Sequence, residues 1–72
     1  MTHVRCRAIV DVLREPADPL VGLTEFRVEA WGYEPYDFVR IYTIDAKTDT
    51  MAAQEGIRRF VEEMESLTDV KA

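Results

Sequence analysis

Residues 3–14, HVRCRAIVDVLR, alternate, with every second residue from Val4 to Val12 apolar, and that alternation narrows what the chain can fold into. Val4, Cys6, Ala8, Val10 and Val12 fall on one side, and His3, Arg5, Arg7, Ile9, Asp11 and Leu13 on the other. A period of two over such a run specifies a β-strand. The first side is wholly apolar and is expected to meet the core. The second is mixed, and a solvated face does not explain its Ile9 and Leu13.

The rest of the chain reads as partners for this strand. Residues 15–22, EPADPLVG, hold Pro16, Pro19 and Gly22. Proline lacks the ladder donor and fixes φ, so this is a loop. Its Leu20 and Val21 are expected to anchor it against the sheet; a lid over one sheet end is the alternative. Residues 23–31 alternate again, with Phe26, Val28 and Ala30 on one side and Glu25, Arg27, Glu29 and Trp31 on the other. WGYEPYDF (31–38) then sets four rings around a turn at Gly32–Pro35, with Tyr33 at the exposed tip and Phe38 expected in the core. Residues 36–44 form the third strand. Tyr36, Phe38, Arg40, Tyr42 and Ile44 share one side, and Asp37, Val39, Ile41 and Thr43 the other. Large apolar groups on both sides suggest a strand covered on both faces or central in its sheet.

Residues 45–50, DAKTDT, break the pattern and offer Thr48, Asp49 and Thr50 as helix caps. The period then changes to helical. Over 51–67, Ala53, Ile57, Phe60, Met64 and Leu67 form one stripe, widened by Val61 and Met51. Glu55–Arg59, Arg58–Glu62 and Arg59–Glu63 are i,i+4 pairs of opposite sign on the other side. Gly56 is discordant, since glycine inside a helix costs about 1 kcal/mol relative to alanine. Close approach of helix to sheet is the expected offset. The last residues, TDVKA, are expected to fray.

The fold class is therefore α+β: a three-stranded antiparallel meander with one C-terminal helix packed on one face, in the order β-β-β-α, as a single small domain over 1–72. One helix covers only one face. Ile9, Leu13, Trp31, Tyr33, Tyr36, Val39 and Ile41 are then the candidate interaction surface. At 72 residues a core of this kind is marginal, and small domains add a staple. The chain has one cysteine, Cys6, and one histidine, His3. It makes no internal disulfide and assembles no Cys/His zinc site alone. Self-association is the staple left, so a homodimer is expected, joined sheet on sheet or edge to edge.

The same inventory bears on chemistry. His3 and Cys6 are three apart in a strand and point to opposite faces, so they do not form a local nucleophile pair. Cys6 reads as an inert core thiol. Gly22, Gly32 and Gly56 make no phosphate loop. Asp45, Lys47 and Asp49 have the odd spacing of a calcium loop without its glycine or closing glutamate, and read as capping residues. Asp37 sits among aromatic rings and reads as a turn residue bonded to backbone. Arg40 is expected to stack on Phe38 or Tyr42, or to pair with Glu25 or Glu29 across the strands. No cofactor, metal or catalytic set is expected.

Net charge is −5. Residues 1–44 hold five Lys/Arg against seven Asp/Glu, and residues 45–72 four against seven. An acidic balance in both halves makes nucleic acid or anionic lipid an unlikely main partner. A local basic patch of His3, Arg5 and Arg7 keeps a nucleic-acid-binding module as an alternative. A small-ligand binder with a pocket under the 15–22 loop, lined by Trp31, Tyr33 or Tyr36, is another. The start MTHVRCRAIVDVLR is charged throughout and is not read as a signal peptide, and no stretch approaches a membrane span. A cytoplasmic location is expected.

One segment carries a resemblance. KTDTMAAQEGIRRFVEEM (47–64) resembles the closing strand-to-helix segment of double-stranded RNA-binding domains, where a basic, capped helix start follows three strands and small residues repeat along the helix. It covers less than half the chain. Only Lys47 stands where that family presents a lysine cluster, and no first helix precedes HVRCRAIV, so RNA binding is not carried over.

Overall fold

A computed structural model describes residues 4–68 of the chain. Three strands, β1 (Cys6–Arg14), β2 (Thr24–Gly32) and β3 (Val39–Ala46), are followed by one helix, α1 (Asp49–Thr68). The sheet is antiparallel with β2 in the middle. This is the α+β meander that the periodicities predict. His3 and the end of the TDVKA tail lie outside the described residues.

The register sorts the side chains. Ala8, Ala30 and Arg40 form one cross-strand row, and Val10, Val28 and Tyr42 the next. Both rows face the helix. Phe26, Val28, Ala30, Ile44 and Ala46 are buried there, with Val4, Cys6, Ala8, Val10, Tyr36 and Tyr42 partly buried around them. Val12, expected in this core, is 57% exposed, because it borders the irregularity at which β1 loses register with β2.

The helix meets the sheet along the expected stripe at Phe60 and Met64, but its first half is turned one residue away from it. Ala52, Gly56, Phe60 and Met64 are buried, at i,i+4 steps. Ala53, Ile57 and Val61 are half-buried beside them, and Met51 and Leu67 are exposed. The reason is distance. A methyl group built on Gly56 would land on Val28 Cγ1 and lie 3.1 Å from Val28 Cβ. The small residues Ala52 and Gly56 let the backbone of α1 sit on β2, and Phe60 and Met64 fill the wider end. Thr48 starts the helix, accepting from Met51 N–H through Oγ1 at 3.2 Å. Among the described residues, no helix is long and apolar enough to cross a membrane.

Two connections differ from expectation. Residues 36–38 do not extend β3. Tyr36 N–H donates to Tyr33 O, and Phe38 N–H donates to Tyr36 O, both at 2.8 Å, so these amides are committed to the loop and only Phe38 O still bonds to β2, accepting from Gly32 N–H. Phe38 is accordingly 41% exposed rather than core. In the 15–22 loop, Asp18 closes the turn, its side chain accepting from Leu20 N–H and its carbonyl from Gly22 N–H. Leu20 and Val21, expected to anchor the loop, are 87% and 78% exposed. Finally, β3 is an edge strand, neither central nor covered on both faces.

Candidate functional site

The helix leaves one sheet face open, and three rows of side chains define it. Arg7, Trp31 and Val39 make the first, Ile9, Glu29 and Ile41 the second, and Asp11, Arg27 and Thr43 the third. The apolar residues sit on the outer strands, while the middle strand carries Glu25, Arg27, Glu29 and Trp31. Arg27 reaches Glu29 at 3.2 Å and Asp11 at 3.9 Å, so charge runs down the centre of the face. Ile9, Leu13, Val39 and Ile41 flank that charge and remain exposed.

The Trp31 ring is held in place. Its Nε1–H donates to Glu29 at 2.8 Å, and the Arg7 guanidinium lies over the ring, 5.6 Å from its centre. Arg5 lies over Tyr33 in the same way, at 5.8 Å. Both pairs follow from the register, since Tyr33 N–H donates to Arg5 O and Trp31 stands opposite Arg7. One end of the open face thus gathers two cations and two rings. The sequence alone did not pair them, because the pairing depends on the length of the 15–22 connection. Tyr36 is half-buried on the helix side, packed near Phe60 and Met64, and so does not join this surface. Asp37 is exposed in the loop.

Arg40 is on the covered side and reaches neither Glu25 nor Glu29. Its Nε donates to Glu63 Oε2 at 2.5 Å, and its guanidinium lies over Phe38. Tyr42 donates its hydroxyl to Glu63 Oε1 at 3.1 Å. The Arg40 hydrogen bond holds the Glu63 carboxyl below its ordinary range. Burial and the Glu63 carboxylate push Tyr42 up to about 12. This cluster ties α1 to β3. On the helix surface Glu55 accepts from both Arg58 and Arg59, which lowers its carboxyl to about 2.

Cys6 is half-buried against Ala30, Phe60 and Met64, and burial raises its thiol above the ordinary value. That lowers its thiolate fraction and its nucleophilicity. Among the described residues, no group of three or more His, Cys, Asp or Glu is placed to hold a metal.

Two hollows lie at the end of the molecule away from Trp31. One, of about 540 Å³, runs between β3 and α1 and includes Leu23, Ala46, Met51 and Arg59. The other, about 640 Å³, lies under the 15–22 loop and is lined by Arg14, Glu15, Pro16, Leu23, Glu25 and Asp45 among others. Trp31, Tyr33 and Tyr36 do not line it. Trp31 is seven residues along β2 from Thr24, or roughly 23 Å. Comparison with protein-family models, with curated proteins and with solved structures finds no match to this chain.

Proposed function

We propose that this chain is a homodimeric protein-interaction module of the cytoplasm, without catalytic activity of its own. The observation that carries the interaction reading is the open sheet face. A single helix covers one side of three strands, and Ile9, Leu13, Val39 and Ile41 stay exposed on the other. A small domain with apolar residues on both borders of one face is better stabilised when a second protein surface covers them. The charge along β2 and on Asp11 of β1 opposes burying the whole face against a copy of itself, because Arg27, Glu29 and Asp11 would lose water on both sides. The open face therefore suits a partner that brings complementary charge to the middle and apolar groups to the borders. The single half-buried thiol of Cys6 suits a reducing compartment. Sedimentation velocity at micromolar concentration tests the dimer: a species of twice 8.3 kDa is expected, and a monomer throughout contradicts it.

The Arg5–Tyr33 and Arg7–Trp31 stacks favour one second reading, a nucleic-acid-binding module. Cations and rings side by side are what single-stranded nucleic acid uses, phosphate on one and base on the other. Titration with single-stranded RNA and DNA at about 50 mM salt is the test, since phosphate contacts are strongest at low salt. No binding there removes it.

A further inference from the structure

The two free edges of the sheet differ, and the difference selects a dimer geometry. Resting on the homodimer reading above, we infer that two copies pair through β1, antiparallel and centred on Ile9, to make one continuous six-stranded sheet.

Tyr33 N–H donates to Arg5 O, so Arg5, Arg7, Ile9 and Asp11 turn their backbone groups toward β2. In an antiparallel ladder the N–H and C=O of one residue point to the same side, and alternate residues point to opposite sides. Cys6, Ala8, Val10 and Val12 therefore turn theirs out of the sheet. No strand lies beyond β1 among the described residues. β1 contains no proline, and its one irregularity falls at the far end, between Val12 and Arg14. It is a long edge with unused donors and acceptors.

Side chains then choose the register. Arg7, Ile9 and Asp11 share the open face and are evenly spaced about Ile9. A two-fold axis at Ile9 sets Ile9 against Ile9 of the second copy. It also sets Arg7 against Asp11 of the second copy, twice. Ala8 and Val10 become a hydrogen-bonded pair. Oppositely charged residues facing each other across strands are favourable, and like charges are not. β3 offers no such match. Its outward backbone groups belong to Val39, Ile41, Thr43 and Asp45, by the same rule applied to the Gly32–Phe38 bond. Its charges, Arg40 and Asp45, lie on opposite faces of the strand, so no register brings them together.

The helix agrees. Met51, Glu55, Arg59 and Glu63 lie on the β3 flank, as the Arg40–Glu63 bond and the hollow there show. Ala53, Ile57 and Val61 follow two positions later, one beyond the buried line of Ala52, Gly56 and Phe60, and so lie on the opposite, β1 flank. All three are half-buried. The flank above β1 is thus apolar, while the flank above β3 is charged.

Two single-cysteine variants test this, each in a Cys6→Ser background. Ile9→Cys places one thiol on the proposed two-fold axis, where facing Cα atoms are about 4.5 Å apart, within disulfide range. Ile41→Cys places a thiol on the β3 edge in similar exposure. Mild oxidation is expected to link the Ile9→Cys variant at least about tenfold faster than Ile41→Cys, giving a covalent dimer on non-reducing electrophoresis. Equal rates, or faster linking through Ile41→Cys, overturn the geometry. So does failure of Ile9→Cys to link while the reduced protein sediments as a dimer, and that result leaves the homodimer reading standing. A reduced protein that sediments as a monomer overturns both.

Discussion

β3 ends the sheet beneath a strap of charge: Arg40 and Tyr42 both bind Glu63 of the helix, and Phe38 lies under the same guanidinium. β1 ends it with open amides on Cys6, Ala8, Val10 and Val12, and an apolar helix flank above them. Both are edge strands, nine and eight residues long. An unpaired edge is a hazard that charge can blunt. Here, among the described residues, the outward amides of β3, on Val39, Ile41, Thr43 and Asp45, are as unpaired as those of β1, but its charges Arg40 and Asp45 lie on opposite faces, while β1 has opposite charges set evenly about Ile9. Charge placed off-axis on both faces repels a copy or ignores it. Charge placed evenly on one face is the basis of the pairing proposed above.

The largest way to break this contrast is a proline. In Ala8→Pro the lost N–H points out of the sheet, so β1 keeps its bonds to β2 but cannot pair outward. Self-association measured by sedimentation is expected to weaken roughly a hundredfold, about 2.7 kcal/mol. The matched Thr43→Pro, at an outward position of β3, is expected to leave it unchanged. Equal effects of the two would mean the edges are alike.

A change at Gly56 should act on both edges together. Gly56→Val has no room above the fully buried Val28. The helix must lift, at a cost of about 2 kcal/mol and roughly 10 °C in Tm. A melt monitored by circular dichroism reads this, and an unchanged Tm would show that α1 does not sit as close to β2 as described.

The smallest effects belong to the strap. Glu63, held below its ordinary pKa by Arg40, adds stability above about pH 4.5 that is lost as pH falls below it. Tyr42 behaves oppositely. Its hydroxyl is raised to about 12, so its contribution is complete below pH 10.0 and fades as pH rises from there toward 12. Thermal melts against pH should therefore show an acid shoulder reduced by Glu63→Gln and an alkaline shoulder removed by Tyr42→Phe. Glu63 is partly exposed, and its substitution is expected to cost at most about 0.5 kcal/mol at neutral pH.

Much of the fold was legible in the sequence because its signals are local. Period two over 3–14 and 23–31, two turn clusters, and a helical period after DAKTDT give the element order and the face of each strand. The errors have physical causes. Hydrophobicity ranks Ile57 and Leu67 above Gly56 and Ala52, but a helix that sits tightly on a sheet needs small residues at the contact. Tyr36 and Phe38 continue the alternation of β3, yet their backbone bonds close the loop instead. Leu20 and Val21 suggest burial by type, while Asp18 turns the chain so that both stand in water. The candidate surface was partly legible. Ile9, Trp31, Val39 and Ile41 were placed on the open face by parity alone. The stacking of Arg5 on Tyr33 and Arg7 on Trp31 needed the β1–β2 register, and the Arg40–Glu63 bond joins residues 23 apart in sequence.

The self-complementarity of β1 can be tested by exchanging its charges one at a time. Arg7→Asp alone sets like charges face to face in the dimer, and so does Asp11→Arg alone. Each is expected to weaken self-association about tenfold in Kd, near 1.4 kcal/mol. Mixed together, the two variants regain two opposite-charge pairs, so sedimentation of the mixture should show a heterodimer about as tight as the self-association expected of the unsubstituted chain. A mixture that associates no better than either variant alone would contradict pairing through β1.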